Sequence, residues 1–449
     1  MYSFLFFQII LGYLIYMRKP SFVFLYTLTV EPVLLPIFSY VGNISSFADL
    51  HELAINMLGK GNTILYTLIL INEYRKGHRT LKISPVVISF VLLIIYLALF
   101  HLGTSFELFV SDALRIISLT LAFLAISINN NILPSKKLFL NFLLSFLIYE
   151  TIWCLLNING LYIYKALYID KTYYTTLTGE HISLVSGTFH RFSYMSDWIS
   201  TIYLIICILY LCHRNITFVK FIIISVLSFI MVLMSGAKIS IVLLIFTLEI
   251  ACIANLKKNI HIFITINSIV LFLFFFMKEI IFLFDVHMLS GINRILEQFS
   301  VMIDNKGEEI GTLTISKKII NQYFENAPLL GNCRLHENIN AYGRLTLLLK
   351  TDARLAFMLV EYGIVGLTIH LIFFYNLIRY IKIQSLIESK NILIFFLFLV
   401  LASTTQSGFW DASVWTILSI GSYVLLKKEF AVQTYEKTNN NLPIQTKTE

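Results

Sequence analysis

Late in a hydrophobic chain, Arg334, His336, Glu337, Arg344, Lys350, Asp352 and Arg354 fall within one polar run. Guanidinium groups match phosphate oxygens in a two-pronged fork, and an ammonium group serves as a point charge. Asp352, His336 and Glu337 are the residue types that accept a proton from a hydroxyl. Further cations stand at Arg191, beside His190, and at Lys238, in the short stretch Ser235-Gly236-Ala237-Lys238-Ile239-Ser240 between two apolar runs. The chemistry open to such a set is binding of a phosphate ester together with activation of a hydroxyl. The bland alternative is contact with lipid headgroups and ordinary solvated charge. Lys238 and Arg354 stand apart, because each sits where an apolar helix begins and an unpaired charge there is costly.

The elements that must position these residues are apolar. The chain is 57% hydrophobic and only 13% charged, with a mean hydropathy of +0.79. Soluble domains are about a quarter charged. Runs long enough to cross a hydrocarbon core of roughly 30 Å recur from end to end. They cover 2–17, 21–41, 53–72, 83–101, 107–128, 138–156, 198–213, 216–234, 237–256, 260–284, 354–378, 391–407 and 413–427. The expected fold is an all-α polytopic membrane protein of about 12–13 transmembrane helices. Pro32 and Pro36 interrupt the second run, which membrane helices tolerate. The run Tyr2–Tyr16 lacks a basic start and a small-residue cleavage site, so it is expected to be retained as a helix.

Basic residues cluster in alternate connections: Arg18-Lys19, Arg75-Lys76 with Arg79 and Lys82, Lys136-Lys137, Arg214 with Lys220, Lys257-Lys258, Arg379 with Lys382 and Lys390, and Lys427-Lys428. The positive-inside rule puts these on the cytoplasmic side, which also accounts for the net charge of +8 without nucleic acid. Two long outer segments result, and long connections of this kind are usually functional. The expected organisation is N-terminal helices over 1–156, a first outer loop over 157–197 and central helices over 198–284. A large late outer loop over 285–353 follows, then C-terminal helices over 354–428 and an inner tail over 429–449. The large loop carries two short amphipathic helices by spacing, Ile292 to Ile303 and Ile315 to Tyr323. The first outer loop is rich in tyrosine (Tyr162, Tyr164, Tyr168, Tyr173, Tyr174), suited to stacking on sugar rings or to an interfacial aromatic belt.

Acids within apolar runs appear at Glu31, Asp112, Glu150 and Glu249; each costs about 2.5–3.5 kcal/mol at a helix centre if unpaired. Asp112 and Arg115 are spaced to compensate one another on one helix. Glu31 and Glu249 also fit an ion pathway. The five cysteines show no metal-ligand spacing, although a Cys154–Cys333 bridge is conceivable. No P-loop, GxGxxG, HExxH or Asp-rich metal motif occurs, so neither cofactor nor metal is expected.

Three stretches resemble the O-antigen polymerase and O-antigen ligase-like membrane glycosyltransferases. They are Ala327-Pro328-Leu329-Leu330-Gly331, then Thr351-Asp352-Ala353-Arg354-Leu355 through Val360-Glu361-Tyr362-Gly363-Ile364-Val365-Gly366-Leu367, and Ser235 to Ser240. Gly187-Thr188-Phe189-His190-Arg191 is a weaker match. Lys238 stands where the family usually has Arg, and Asp352-Ala353 where it commonly has His-Asn, which favours a polymerase over a ligase. The resemblance implies transfer of a growing glycan from undecaprenyl pyrophosphate onto the next lipid-linked repeat unit. The site would lie at the outer face of a bacterial inner membrane, in O-antigen or capsule synthesis. Arg191, Lys238 and Arg354, with Arg334, Arg344 and His190, would bind pyrophosphate, while Asp352 or His336 acts on the acceptor hydroxyl. Membrane lipids, a chain-length regulator and a flippase are the implied partners. A flippase or other transporter, a ligase, and a scaffold for a polysaccharide assembly complex are the competing expectations.

Overall fold

A computed structural model describes residues 2–77, 85–101, 106–169, 173–175, 181–183, 185–190, 192–212, 216–268, 328–331, 359, 363–373, 375–376, 379, 417–421 and 424–425. These residues are helical almost throughout. Among the described residues five helices are long and apolar enough to cross a membrane: Pro20–Val41, Phe47–Arg75, Lys136–Ile158, Tyr194–Leu211 and Phe218–Ser235. In chain order the main elements are α1 (Tyr2–Arg18), α2 (Pro20–Val41), α3 (Phe47–Arg75), α4 (Pro85–His101), α5 (Phe106–Ile128) and α6 (Lys136–Ile158). After them come α7 (Phe192–Cys207, continuing as a π turn to Cys212), α8 (Phe218–Ser235), α9 (Lys238–Ala254), α10 (256–268) and α11 (Gly363–Phe373). Among the described residues the exception to the all-α expectation is a short antiparallel pair, β1 (Tyr173–Thr175) with β2 (His181–Ser183), in register Tyr173 to Ser183.

The interruptions in α2 and α3 have a common form. Pro32 lies inside a π turn, Val30–Leu34, and Pro36 sits at the start of the α segment that follows. A proline in a helix removes a backbone donor and crowds the preceding turn, and the wider π turn absorbs both effects. In α3 a second π turn, Asn56–Gly61, sits between two α segments. Its Met57 carbonyl accepts from the Gln8 amide of α1 at 2.8 Å, and the same amide donates to Asn62 Oδ1 at 3.2 Å. The amide nitrogen of a glutamine buried in an apolar helix is thereby satisfied, as buried donors must be. Periodicity places the start of α3 near 53, but the helix begins at Phe47. Ser46 caps it there by accepting from Asp49 N–H at 3.1 Å, an arrangement that stabilises a helix start.

The helices are sorted into two ends by their contacts. At one end the last turns of α1 and α3 meet the segment after α5. Glu73, fully buried, accepts from the Tyr16 hydroxyl, from Lys76 Nζ at 3.0 Å and from Asn129 Nδ2 at 3.0 Å. Asn72 Nδ2 also donates to the Tyr16 hydroxyl, at 2.9 Å. The Glu73 carboxylate and the Tyr16 hydroxyl raise the pKa of Lys76. The basic stretch Arg75-Lys76 is thus partly a helix-end lock as well as surface charge.

At the other end Lys165 Nζ, after α6, donates to Asn43 Oδ1 at 2.9 Å, just past α2. The first turns of α3 lie here too. α5 runs parallel to α3, joined near its start by Thr63 and Leu114 and beyond its end by Glu73 and Asn129. α4, antiparallel to α5, brings Tyr96 to this second end, where its hydroxyl meets the Leu330 carbonyl at 3.4 Å. α7 begins beside His190 and is buried on all sides, packed on α8, α9 and the 417–421 π turn. α8 returns antiparallel to α7, with Tyr210 stacked on Phe221 at 4.3 Å and Tyr203 edge-on to Phe229 at 5.6 Å. The connection Gly236-Ala237 and the start of α9 at Lys238 therefore stand at the His190 end.

The Pro328–Gly331 turn is attached to the first turn of α11. Ile364 N–H donates to the Pro328 carbonyl at 3.0 Å, and Val365 N–H to the Leu329 carbonyl at 3.1 Å. These carbonyls satisfy donors that a helix start cannot pair internally. The fit requires glycine at 363. Its φ is +64°, and a Cβ there would stand 2.4 Å from the Leu329 carbonyl oxygen and 2.5 Å from Gly331 N. Farther along, Asn376 Nδ2 donates to Ser89 Oγ at 2.6 Å, so this helix lies antiparallel to α4.

Gly160 supplies the control for this joint, because it also has positive φ (+79°) but nothing within 4 Å of a built Cβ. Gly160→Ala is expected to cost only the backbone term, about 1–2 kcal/mol. Gly363→Ala is expected to lower the unfolding midpoint in detergent clearly further. Equal midpoints for the two variants would contradict the docking of the turn on the helix.

Candidate functional site

Polar side chains from five elements converge at the His190 end. α2 supplies Glu31, on its π turn, and α3 supplies Phe47 and His51. α6 supplies Glu150 and Cys154, the loop 185–190 supplies Thr188 and His190, and α7 supplies Tyr194 and Met195. The loop is buried throughout, although it has no regular structure. Its backbone therefore needs internal partners. Thr188 N–H donates to Glu150 Oε2 at 3.0 Å, and the Thr188 hydroxyl donates to Glu150 Oε1. The Thr188 carbonyl accepts from Tyr164 at 2.7 Å.

Gly187 lets the loop approach the acid, since a Cβ at that position would meet Glu150 Oε2 at 2.2 Å. Burial pushes the Tyr164 phenol well above its ordinary pKa, leaving a neutral hydroxyl as donor. Tyr164 is thus a buried structural group rather than a surface platform. The side chains of Tyr168, Tyr173 and Tyr174 lie outside the described residues.

His190 is the centre of the cluster. Its Nδ1 stands 2.8 Å from Glu31 Oε1, and both residues are almost wholly buried, at 2% and 1% exposure. Its Nε2 faces His51 Nδ1 at 3.3 Å. Tyr194 meets the His190 ring edge-on at 4.9 Å, and Phe47 stacks on His51 at 6.3 Å with the rings within 5° of parallel. The result is a carboxylate–imidazole–imidazole line that runs from the interior to half-buried His51. Two protonation states satisfy it. With His190 neutral, Nδ1–H donates to Glu31 and His51 Nδ1–H donates to His190 Nε2. With His190 protonated, it donates to both neighbours, and the Glu31 carboxylate stabilises the positive charge.

Among the residues singled out from the sequence, His190 is therefore placed with both ring nitrogens engaged, by Glu31 and by His51. Lys238 is the first residue of α9, with its side chain outside the described residues. Arg191, Arg334, His336, Glu337, Arg344, Lys350, Asp352 and Arg354 lie outside the described residues. So do Cys333 and the side chains of Asp112 and Arg115, whereas Cys154 is a free thiol buried against Met195. Glu249 is half-buried. Among the described residues no group of His, Cys, Asp and Glu side chains is arranged to hold a metal ion.

Sequence reasoning passed over His51, Glu73 and Asp197, the last fully buried in α7. The signal for Asp197 was present, an acid one residue ahead of the apolar run from Trp198. His51 gave no comparable signal, because only the fold brings it to His190, 139 residues away.

A double-mutant cycle on Thr188→Val and Glu150→Gln tests the loop anchor. Each change alone should destabilise, and the coupling between them should be about 1–3 kcal/mol in detergent unfolding. Simple additivity would mean that Glu150 does not hold the loop. Compared with family models, curated proteins and solved structures, the chain matches none of them.

Proposed function

We propose that this chain is a polytopic membrane glycosyltransferase of about 12–13 helices that polymerises polyprenyl-pyrophosphate-linked repeat units. The working face is the outer side of a bacterial inner membrane, and the product is O-antigen or capsular polysaccharide. The observation that carries this reading is the gathering of the family-like stretches at one end of the bundle. Gly187–His190, the Gly236–Lys238 connection and the Pro328–Gly331 turn with the first turn of α11 all belong to the end that holds His51. The sidedness is supported by the positive-inside rule, since the basic connections Arg18-Lys19, Arg75-Lys76 and Lys136-Lys137 belong to the opposite end.

In this reaction the bond from sugar C1 to pyrophosphate breaks while the acceptor oxygen forms a bond to C1. Charge grows on the departing pyrophosphate, and preorganised cations stabilise it. Arg191, Lys238 and Arg354, with Arg334 and Arg344, are assigned to that charge, and Asp352 and His336 to the acceptor hydroxyl. No nucleotide or metal is needed. The chain-length regulator and flippase of such a system are the protein partners expected.

A second reading, a transporter of lipid-linked glycan, is favoured by one specific observation. Glu31 with His190, and Glu150 with Thr188, place ionisable groups inside or against apolar helices, and intramembrane ionisable residues often serve ion coupling. The lipid-linked glycans of a deletion strain, resolved on a gel, separate the readings. Loss of the polymerase leaves single repeat units on the final acceptor. Loss of a transporter traps single units on the inner side, and loss of a ligase leaves long chains on the carrier. Arg354→Ala, at normal membrane abundance, is expected to abolish long chains; unchanged chain lengths would overturn the assignment of that residue.

A further inference from the structure

We propose that His51 is the general base of the glycosyl transfer and that His190 and Glu31 are its positioning residues, an inference that rests on the polymerase reading. The line Glu31–His190–His51 is graded by burial. Glu31 and His190 are closed off, whereas His51 is half-buried on the first turns of α3, at the end assigned to the substrate. Phe47 fixes the His51 ring by stacking, four residues earlier on the same helix. Among the described residues, the titratable and charged side chains near the line include Tyr194 of α7, Tyr164 before the short helix Lys165–Ile169, Glu150 of α6, and Asp49 and Glu52 of α3. Tyr164 touches the line through the Glu31 carbonyl, at 3.5 Å, and not through the carboxylate.

The proton balance follows from the two states of the line. The acceptor hydroxyl gives its proton to His51 Nε2 as its oxygen bonds to sugar C1, and the C1–O bond electrons leave with the pyrophosphate. His51 Nδ1–H moves onto His190 Nε2, which becomes an imidazolium beside the Glu31 carboxylate. On release of product His190 returns that proton to His51 Nδ1. His51 Nε2 then passes its own proton to the pyrophosphate or to water, and the line is reset. A carboxylate behind an imidazole both fixes its tautomer and stabilises its cation. Here that support is passed through one more ring to the reacting position. Asp352 and His336 are left to orient the acceptor.

The test uses the full-length protein in lipid vesicles with synthetic polyprenyl-pyrophosphate-linked repeat units, following polymer length and rate against pH. His51→Ala is expected to lower kcat about 10²- to 10⁴-fold with little change in KM, and added imidazole should restore part of the rate. Glu31→Gln keeps the side-chain shape but removes the counter-charge of the protonated pair. Its acid limb in the pH–rate profile should therefore move to lower pH. If His51→Ala does not accumulate in the membrane, the Glu31→Gln profile decides alone. Polymer formation by the wild type, with the kcat of His51→Ala or the acid limb of Glu31→Gln unchanged, overturns the inference and leaves the polymerase reading standing. Absence of polymer from the wild type overturns both.

Discussion

A carboxylate enclosed by apolar helices must be answered by donors or by a counter-charge, because its solvation is lost and the penalty reaches several kcal/mol. This constraint explains more of the architecture than any single apolar contact. Glu73 is answered by Tyr16, Lys76 and Asn129, and so ties α1, α3 and the segment after α5 at one end. Glu150 is answered by Thr188, and so fixes a loop without regular structure under the ends of the helices. Glu31 is answered by His190. In each case at least one partner comes from an element distant in sequence (Tyr16 and Asn129 for Glu73, Thr188 for Glu150, His190 for Glu31), and apolar packing, which is non-directional, could not have chosen it.

The π turns serve the same end. A glutamate at residue 31 in an unbroken helix would still be adjacent to Pro32, whose missing donor disturbs the helix in any case. The Val30–Leu34 turn accommodates the proline and carries Glu31 toward the 185–190 loop. The Asn56–Gly61 turn frees the Met57 carbonyl for Gln8, and Gly61 lets α1 come close; a Cβ there would lie 2.2 Å from Gln8 Oε1. Departures from regular helix are therefore where polar groups are recruited. π turns are often found at functional positions for this reason.

The long apolar helices were legible in the sequence because hydropathy is a local property, and the bounds 138–156 and 216–234 differ from Lys136–Ile158 and Phe218–Ser235 by a residue or two. The front of α3 was not legible, since Ser46 to Glu52 is amphipathic and its cap is a matter of backbone geometry. Glu31 and Glu150 stood out as acids in apolar runs, but their partners did not. His190 lies 159 residues from Glu31, and nothing periodic links them. The Pro328 turn and the Gly363 stretch were each noticed separately; they meet by pairing the Pro328 and Leu329 carbonyls with the Ile364 and Val365 amides, which leaves no side-chain signature. His51 and Glu73 were hidden by opposite circumstances, the one in an unremarked turn and the other among basic residues that the positive-inside rule already explained.

The division between the two ends has a further physical consequence. At the Glu73 end every named group has a fixed donor–acceptor sense, with Tyr16, Lys76 and Asn129 all donating to one carboxylate. Moving a proton there would break the lock, so that end suits anchorage. At the His190 end the two imidazoles can exchange donor and acceptor roles without moving a heavy atom, because each ring has a nitrogen for either role. A polar cluster that accepts a proton while keeping its geometry is what acid–base chemistry requires, whether the substrate is a sugar hydroxyl or a coupling proton. Rigid anchoring at one end and degenerate protonation at the other let the same helices serve both demands. The difference lies in the groups that answer each carboxylate: Tyr16, Lys76 and Asn129 for Glu73, and His190 for Glu31.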